Sequence, residues 1–336
     1  MLTDFDSNIC PDFLPDYELM WCTYYEHMES EENGFCKKPQ YYRCLADIHR
    51  QIPLSYSSIN DFLTCHYLYY LKAIRGIQIK DHAKSSALKC GTLWDAVLQK
   101  HLGGIDRDTD KPYNIPAIIE KYEIDPMDVA KVRGLYRAFK VLEVQIDPGF
   151  ELQAKVETKI DNVMVTGYYD RKYADSFVEN KLSGRPDLYF DPYFIQSQVG
   201  TYFLGSPDLA SCIMEVVRIP GLKQKKDNEE SPEEYAERTY QNVITRPSYY
   251  FIGWNAKTRR YGKKFFRNEF DLKELEHRFK HVYREIYDAR RYEGWYKNDR
   301  ACNNVLPGIV CDMLPLCRYN NFNEDIYQIR ERKVTF

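Results

Sequence analysis

The chain has 336 residues, of which 44% are hydrophobic and 29% are charged, and these proportions are typical of a globular protein. A formal net charge of −3 excludes a uniformly basic nucleic-acid-binding protein, so a nucleic-acid surface would have to be a local patch. No apolar run reaches the roughly 18 residues of a membrane span, and the acidic N-terminus lacks a signal pattern, so we expect a cytoplasmic protein, in the host cytoplasm if it is viral.

The first 50 residues form an N-terminal extension whose role the sequence does not indicate. They contain Cys10, Cys22, Cys36 and Cys44. The gaps between these cysteines are long and lack a Cys-x₂-Cys knuckle, which favours scattered thiols over a zinc site.

Two helices are predicted next. The first begins near Ile59, is capped by Ser57 or Ser58, and ends before Gly76; its apolar stripe consists of Ile59, Phe62, Leu63, Tyr67, Tyr70 and Leu71. The second covers Cys90–His101. Residues 105–150 are then predicted to form a loop followed by a helical cover. Its helices are predicted over Ile115–Tyr122 and Val129–Gln145, and Asp125-Pro126 is predicted to cap the second.

Three strands follow, and they carry the most informative polar residues. Glu151–Ile160 and Val163–Asp170 are predicted to pair across the two-residue turn Asp161-Asn162, and Phe177–Leu182 follows the polar turn 171–176. Asp170 ends the second strand.

Glu179 and Lys181 lie two residues apart on the third strand, so their side chains share one face. Carboxylate oxygens are preferred ligands of Mg²⁺ or Mn²⁺, and an ammonium group can orient a water beside such an ion. Asp170, Glu179 and Lys181 are therefore the minimal apparatus for metal-dependent phosphodiester hydrolysis. The triplet alone also fits solvated charges on a strand.

The second half of the chain predicts a helix within Leu188–Leu204, a buried strand over Ser211–Ile219 and a charged loop over Gly221–Glu234. A hairpin is predicted from Tyr249–Trp254 and Phe265–Phe270. Asp271 is predicted to cap a long amphipathic helix whose apolar face is Leu272, Leu275, Phe279, Val282 and Ile286.

The turn of that hairpin is the best local basic patch, and its cations are Lys257, Arg259, Arg260, Lys263 and Lys264. Trp254 and Tyr261 lie close in sequence and could stack on bases. A nucleic-acid contact and a solvated loop tip fit this turn equally well.

These features, taken in order, resemble the PD-(D/E)XK nuclease superfamily. The resemblance lies in a Ser-capped helix with Cys65, then Gly91-x-x-x-Asp95, Gly167-x-x-Asp170 with Glu179-x-Lys181, Gln198-x-x-x-Tyr202, and finally Cys302, Cys311 and Cys317. It spans residues 53–319 and indicates the RecB-like and AddB-like iron–sulfur exonuclease branch, similar to CRISPR-adaptation exonucleases, and it allows the chain to be phage-encoded.

The resemblance implies roles for individual residues. Asp170, Glu179 and the Asn180 carbonyl would bind Mg²⁺ or Mn²⁺, and Lys181 would activate the attacking water. Asp95 stands where the family usually has a histidine ligand. It could bind a hard metal ion, or it could be an ordinary exposed helix residue. Gln198 and Tyr202 would contact the nucleic-acid backbone, or simply belong to an amphipathic helix.

The resemblance also implies that Cys65, Cys302, Cys311 and Cys317 hold a 4Fe–4S cluster as a structural staple. Zinc is the alternative occupant because a four-cysteine set suits both. Scattered core cysteines remain a further alternative.

Together these interpretations predict an α/β protein with a restriction-endonuclease-like core, that is, a mixed central sheet flanked by helices, a helical insertion and a C-terminal iron–sulfur tail. The nuclease domain would span residues 51–320, with its helical cover at 105–150, and 321–336 would be a tail. The implied function is an exonuclease acting on single-stranded DNA or free DNA ends in recombination, repair or phage replication, with a protein partner allowed. The alternatives are an inactive nucleic-acid-binding protein and a structural component.

Overall fold

A computed structural model describes residues 54–160, 163–223, 230–302 and 310–330. The predictions for residues 1–50, for the turn Asp161-Asn162 and for most of the charged part of the 221–234 loop lie outside these ranges. Within them, no helix is both long and apolar enough to cross a membrane.

The helices are α1 (Tyr56–Thr64), α2 (His66–Tyr69), α3 (Ser86–His101), α4 (Ile115–Lys121), α5 (Pro126–Val141), α6 (Pro192–Gly205), α7 (Pro232–Thr245), α8 (Pro247–Tyr250), α9 (Leu272–Tyr292) and α10 (Leu314–Tyr319). The strands are β1 (Ile77–Ile79), β2 (Ile105–Asp106), β3 (Lys111–Pro112), β4 (Glu151–Leu152), β5 (Lys155–Ile160), β6 (Val163–Tyr168), β7 (Arg171–Lys172), β8 (Ser176–Ser183), β9 (Ser211–Arg218), β10 (Lys263–Phe266) and β11 (Tyr327–Ile329).

The central sheet has five strands in the order β10-β9-β8-β7-β4. Strands β8 and β9 are parallel along their whole length, whereas the other neighbours are antiparallel. The segment between β8 and β9 contains α6, as expected for a crossover that joins parallel strands. This arrangement confirms the predicted α/β class with a mixed sheet and is compatible with a restriction-endonuclease-like core.

The predicted strands around Asp170 are divided differently in the structure. Strand β5 pairs with β6, but β4 pairs with β7, because the chain leaves the first hairpin at Tyr169 and Asp170. The Tyr169 ring is fully buried there, and its hydroxyl donates to the backbone oxygen of Tyr202 at 3.1 Å. Asp170 therefore lies in a break between two strands, and Arg171–Lys172 is a strand instead of a turn.

The helical cover of residues 105–150 begins with the hairpin β2–β3, which was predicted as loop. Asp125 caps α5 as predicted, accepting a hydrogen bond from the Met127 backbone N–H at 2.8 Å. Helix α5 packs closely on α7 at Gly134, where a Cβ atom would lie 2.7 Å from the backbone oxygen of Ala236. The predicted cap of α9 is confirmed as well, since Asp271 accepts from the Glu274 N–H at 2.9 Å.

The first helical segment starts earlier than predicted and is interrupted at Cys65, but it ends at Ile74, before Gly76 as predicted. Ser55 and Ser58 form a reciprocal capping box, which fixes the start of α1 at Tyr56. Cys65 has extended backbone angles (φ −163°, ψ 120°), so α1 ends there and α2 begins at the next residue. Leu63 does not join the buried stripe of Ile59 and Phe62 and is 46% exposed.

One further prediction is wrong in detail. Tyr249–Trp254 is not a regular hairpin strand, because Pro247 begins the short helix α8 and the segment forms only a single antiparallel bridge to β9, between Phe251 and Val217, whereas Lys263–Phe266 pairs with β9 as a strand. Within residues 321–336, predicted as a tail, β11 pairs antiparallel with β1.

Candidate active site

The carboxyl groups of Asp170 and Glu179 approach each other at the middle of β8. Oδ2 of Asp170 accepts a hydrogen bond from the backbone N–H of Asn180 at 2.6 Å. In a strand, the N–H and C=O of one residue face the same edge, so the Asn180 carbonyl also faces the Asp170 side. The break between β6 and β7 is what allows the Asp170 side chain to turn toward this edge.

Glu179 is buried, with 4% of its surface exposed. Its Oε1 atom accepts a hydrogen bond from Nζ of Lys181 at 2.6 Å and another from Nε2 of Gln198. Its Oε2 atom is buried and has no hydrogen-bond partner. Burial, with Asp170 adding to it, raises the pKa of Glu179 to about 7.

Helix α3 brings a third carboxyl group to the same place. Leu93 and Leu98 are buried in the core, and Asp95 lies between them near Asp170 and Lys181. Burial and the Asp170 charge raise the pKa of Asp95 to about 7. Burial likewise raises the pKa of Asp170. Three carboxyl groups that resist ionisation together form a site that a cation would stabilise.

The oxygen donors fit a hard divalent cation such as Mg²⁺ or Mn²⁺. The Oε2 atom of Glu179, which accepts no hydrogen bond, supports this fit. A buried carboxylate oxygen without a hydrogen-bond donor destabilises the fold unless a cation binds it. The carboxyl groups lie near one another but do not form a complete metal-coordination site. Among the described residues, no three His, Cys, Asp or Glu side chains are close enough together to hold a metal ion as they stand.

Lys181 is the ammonium group of the site. Burial by itself would lower its pKa, but the adjacent Glu179 carboxylate and Tyr56 outweigh burial and hold the pKa of Lys181 well above its usual value. Tyr56 is a neighbour that the sequence did not indicate, since it precedes the predicted helix. It is held there because Leu54, two residues earlier, pairs with β6 through hydrogen bonds to Met164 and Thr166.

Gln198 and Tyr202 both lie on α6, behind Glu179. Gln198 donates to the Tyr202 hydroxyl at 3.3 Å as well as to Glu179. Tyr202 is only 3% exposed. Direct contact between Tyr202 and a nucleic-acid backbone would therefore require its surroundings to move.

Two of the five cations of the basic patch are neutralised by residues of the helical cover. Arg259 forms an ion pair with Glu143, and Arg260 forms one with Asp147. Tyr261 is 5% exposed and packs against Phe251, so it is not available for base stacking. In the described part of the chain, the other three cations, Lys257, Lys263 and Lys264, are exposed and form no ion pair.

The hairpin β2–β3 approaches the carboxyl groups from the solvent side. The guanidinium carbon of Arg107 lies 3.9 Å from the ring centroid of Tyr168. Tyr113, just after the hairpin, has its pKa raised to about 12 by burial and by the nearby Asp95 and Asp106 carboxylates. Sequence reasoning missed Arg107 and Tyr113, because no motif marks a residue that long-range packing brings to a site.

A second cluster lies at the opposite end of α1. The cavity lined by Cys65, Cys302, Cys311 and Cys317 connects the break between α1 and α2 to the C-terminal segment. The Asn298 backbone N–H donates to the Cys65 sulfur at 3.3 Å. The Cys311 N–H donates to the Cys302 carbonyl at 2.8 Å. All four side chains are partly exposed free thiols.

A family model described as the PD-(D/E)XK nuclease superfamily matches residues 53–188, which is less than half of the chain. The matched segment contains Cys65, Asp95, Asp170, Glu179 and Lys181 and ends before Gln198 and the three later cysteines. Members of this superfamily are nucleases that typically use Mg²⁺ or Mn²⁺. No curated protein matches the chain.

Proposed function

We propose that this protein is a metal-dependent deoxyribonuclease. The observation that carries the proposal is the approach of Asp95, Asp170 and Glu179 around Lys181, within the segment that matches the nuclease superfamily. Glu179 is buried, and Asp95 and Asp170 are half-buried beside it, an arrangement that is costly in a protein that never places a cation there.

In the proposed reaction, Asp95, Asp170, Glu179 and the Asn180 carbonyl hold Mg²⁺ or Mn²⁺. The bound ion would supply the Lewis acid that polarises the phosphate and makes water a better nucleophile. Asp170 is oriented for this role by the Asn180 N–H, and Glu179 is oriented by Gln198.

Lys181 would orient the attacking water and stabilise the charge that develops on the phosphate. Its pKa lies above the usual value, so the ammonium group keeps its proton at neutral pH. It therefore acts as a hydrogen-bond donor. The carboxylate of Glu179, 2.6 Å away, fixes its direction.

The cysteine cavity is proposed to hold a 4Fe–4S cluster, with zinc as the alternative occupant. Binding would have to draw the thiols together, since no three of these four described side chains are close enough as they stand to hold a metal ion. Support comes from the four thiols that line one cavity although Cys65 is far from the others in sequence. The bound group would staple the α1–α2 break to the C-terminal segment. Anaerobic purification followed by iron, sulfide and zinc analysis tests this, with Cys65→Ser expected to lose the group. The buried Cys90, replaced by Ala, is the matched control.

The finer assignment is an exonuclease that acts on single-stranded DNA or on free DNA ends, in recombination, repair or phage replication. It rests on resemblance in the order of motifs and is an analogy of fold and site. A protein partner fits the same setting.

A second candidate function is nucleic-acid binding without cleavage, or a purely structural role. The observation that favours it is Asp95, which replaces the histidine of the commoner family pattern. Such a protein would bind DNA, or lack affinity for it altogether, and in either case would be unaffected by Lys181→Ala.

The test is cleavage of end-labelled single-stranded DNA by anaerobically purified protein with Mn²⁺, with Mg²⁺ and with chelator. We expect metal-dependent cleavage that falls at least about a hundredfold in Lys181→Ala. The matched control is Lys280→Ala on α9, which removes a half-exposed lysine whose Nζ lies 2.9 Å from Oε1 of Glu276. Folded protein that cleaves with neither metal would contradict the proposal, and the product ladder would give the polarity.

A further inference from the structure

The hairpin β2–β3 places a cation beside the carboxyl groups. Its two strands pair through Ile105 with Pro112 and through Asp106 with Lys111, and Arg107 is the first residue of the turn. The Arg107 side chain is exposed, and its guanidinium carbon lies 3.9 Å from the Tyr168 ring centroid. Tyr168 is two residues before Asp170. Stacking on this ring fixes the direction of a side chain that would otherwise be mobile.

Arg107 is close to the site without being neutralised by it. Its charge acts on the Asp95 carboxyl and on Tyr113. In the ranges that the structure describes, no ion pair joins the guanidinium to a carboxylate. Its planar N–H donors are therefore available for a ligand, and this geometry matches two oxygens of a phosphate.

The other cations near the site are already engaged. Lys181 is paired with Glu179. Arg171 is 1% exposed and is paired with Glu215. A phosphodiester that approaches from solvent would meet three carboxyl groups and needs a positive group on its outer side, even with a divalent ion in place.

We propose that Arg107 binds a non-bridging phosphate oxygen of the nucleic-acid strand at the carboxyl site and orients that phosphate toward Lys181. This inference rests on the proposed nuclease function and adds a substrate-binding residue to it. Tyr168 acts through Arg107 as a positioning residue.

The experiment compares Arg107→Ala and Arg107→Lys with the unmodified protein in two assays. The first is the kcat/KM for cleavage of a fluorescein-labelled single-stranded oligonucleotide with Mn²⁺. The second is the affinity for the same oligonucleotide, measured by anisotropy against salt concentration in a Lys181→Ala background. The matched control is Arg133→Ala, which removes an exposed arginine that pairs with Glu233 at 3.3 Å on the helical cover.

We expect Arg107→Ala to lower kcat/KM by about ten- to a hundredfold, as for loss of a charge-assisted hydrogen bond. The slope of log affinity against log salt should fall by about 0.7, the value for one phosphate contact on a single strand. Arg107→Lys should recover only part of the loss because it lacks the planar fork. Arg133→Ala should change neither quantity.

The outcomes separate the two proposals. Cleavage by the unmodified protein, with equal kcat/KM and equal salt slope in Arg107→Ala, overturns the role of Arg107 and leaves the nuclease intact. DNA binding that weakens in Arg107→Ala, without cleavage by the unmodified protein, overturns the nuclease activity and supports the phosphate contact. Absence of both cleavage and DNA binding overturns both. An equal loss in Arg133→Ala shows a general charge effect and also overturns the role of Arg107.

Discussion

Gly167 on β6 and Tyr202 on α6 are in direct contact: a Cβ atom at Gly167 would lie 2.5 Å from Cε1 of Tyr202. Tyr202 in turn accepts a hydrogen bond from Gln198, and Gln198 donates to Glu179. A series of contacts therefore connects Gly167, which has no functional side chain, to Glu179, the most buried carboxylate of the site.

Gly167→Ala is expected to destabilise the protein by about 1–3 kcal/mol, because the added methyl group must displace a well-packed ring. Cleavage should fall as well, since the shift passes through Gln198 to Glu179. The free energy of unfolding in denaturant measures the first effect. Gly91→Ala is the matched control for stability: its Cβ would meet nothing within 4 Å. It should be neutral or stabilising by up to about 1 kcal/mol in a helix interior. Equal losses in both variants would contradict the prediction.

The carboxyl groups should give the metal-free protein a distinctive pH dependence. The pKa of Glu179 and that of Asp95 are each raised to about 7 in the folded state, so the folded protein holds protons that the unfolded chain has already released. Their contribution to stability is therefore lost as the pH rises from about 4.5 through about 7.

Glu179→Gln imitates the protonated carboxyl group and should flatten this dependence. In chelator, the Tm of the unmodified protein relative to that of Glu179→Gln should fall between pH 5 and pH 8. Mn²⁺ should raise the Tm of the unmodified protein more at pH 8 than at pH 5, because protons compete with the ion. Parallel Tm curves for the two proteins would show that Glu179 does not titrate in this range.

Glu179 and Lys181 could be found from the sequence because they lie on one strand, where the two-residue period decides which side chains share a face, and Asp170 because it ends the strand predicted before them. Asp95 was found only through resemblance. The break at Tyr169 and Asp170 could not be predicted, since it depends on the burial of the Tyr169 ring by α6.

For the basic patch, the sequence predicted more free cations than the structure contains. Lys257, Arg259 and Arg260 form a dense cationic turn in sequence, but Arg259 is paired with Glu143, which lies 116 residues earlier. Sequence periodicity reports local neighbours and not the partners that tertiary contacts supply. For the same reason Arg107 and Tyr56, which lie beside the carboxyl groups, have no signal in the sequence.

The ion pair between Arg171 and Glu215 crosses the buried face of the central sheet, next to β8. Arg171→Ala should cost about 3–5 kcal/mol, because it leaves the Glu215 carboxylate buried without its partner. Replacing both residues with Met and Leu should cost much less than the single change. Unfolding in denaturant gives the values. The surface pair of Arg137 and Glu237 is the control: Arg137→Ala should cost about 1 kcal/mol or less. A similar small cost for Arg171→Ala would refute the prediction.

The strand β11 offers a matched pair of substitutions. Tyr327 is 1% exposed and packs in the cluster that includes Leu68 and Met313, whereas Ile329 is 63% exposed. Tyr327→Ala should destabilise the protein by about 3–5 kcal/mol and loosen the segment that carries Cys311 and Cys317. Ile329→Ala should stay within about 0.5 kcal/mol. Denaturant unfolding measures both, and equal effects of the two changes would mean that β11 is not anchored by its buried face.

The pairing of β1 with β11 has a consequence for synthesis. His82 contacts the backbone oxygen of Asp325 at 2.8 Å across 243 residues of chain. A ribosome that adds about 5–20 residues per second needs about 12–50 s to cover that interval. During this time the early segment has left the ribosome with its edge strand unpaired. The apolar surface and the unpaired strand of this early segment are exposed during that time. We therefore expect the nascent chain to need a chaperone more than the folded protein does.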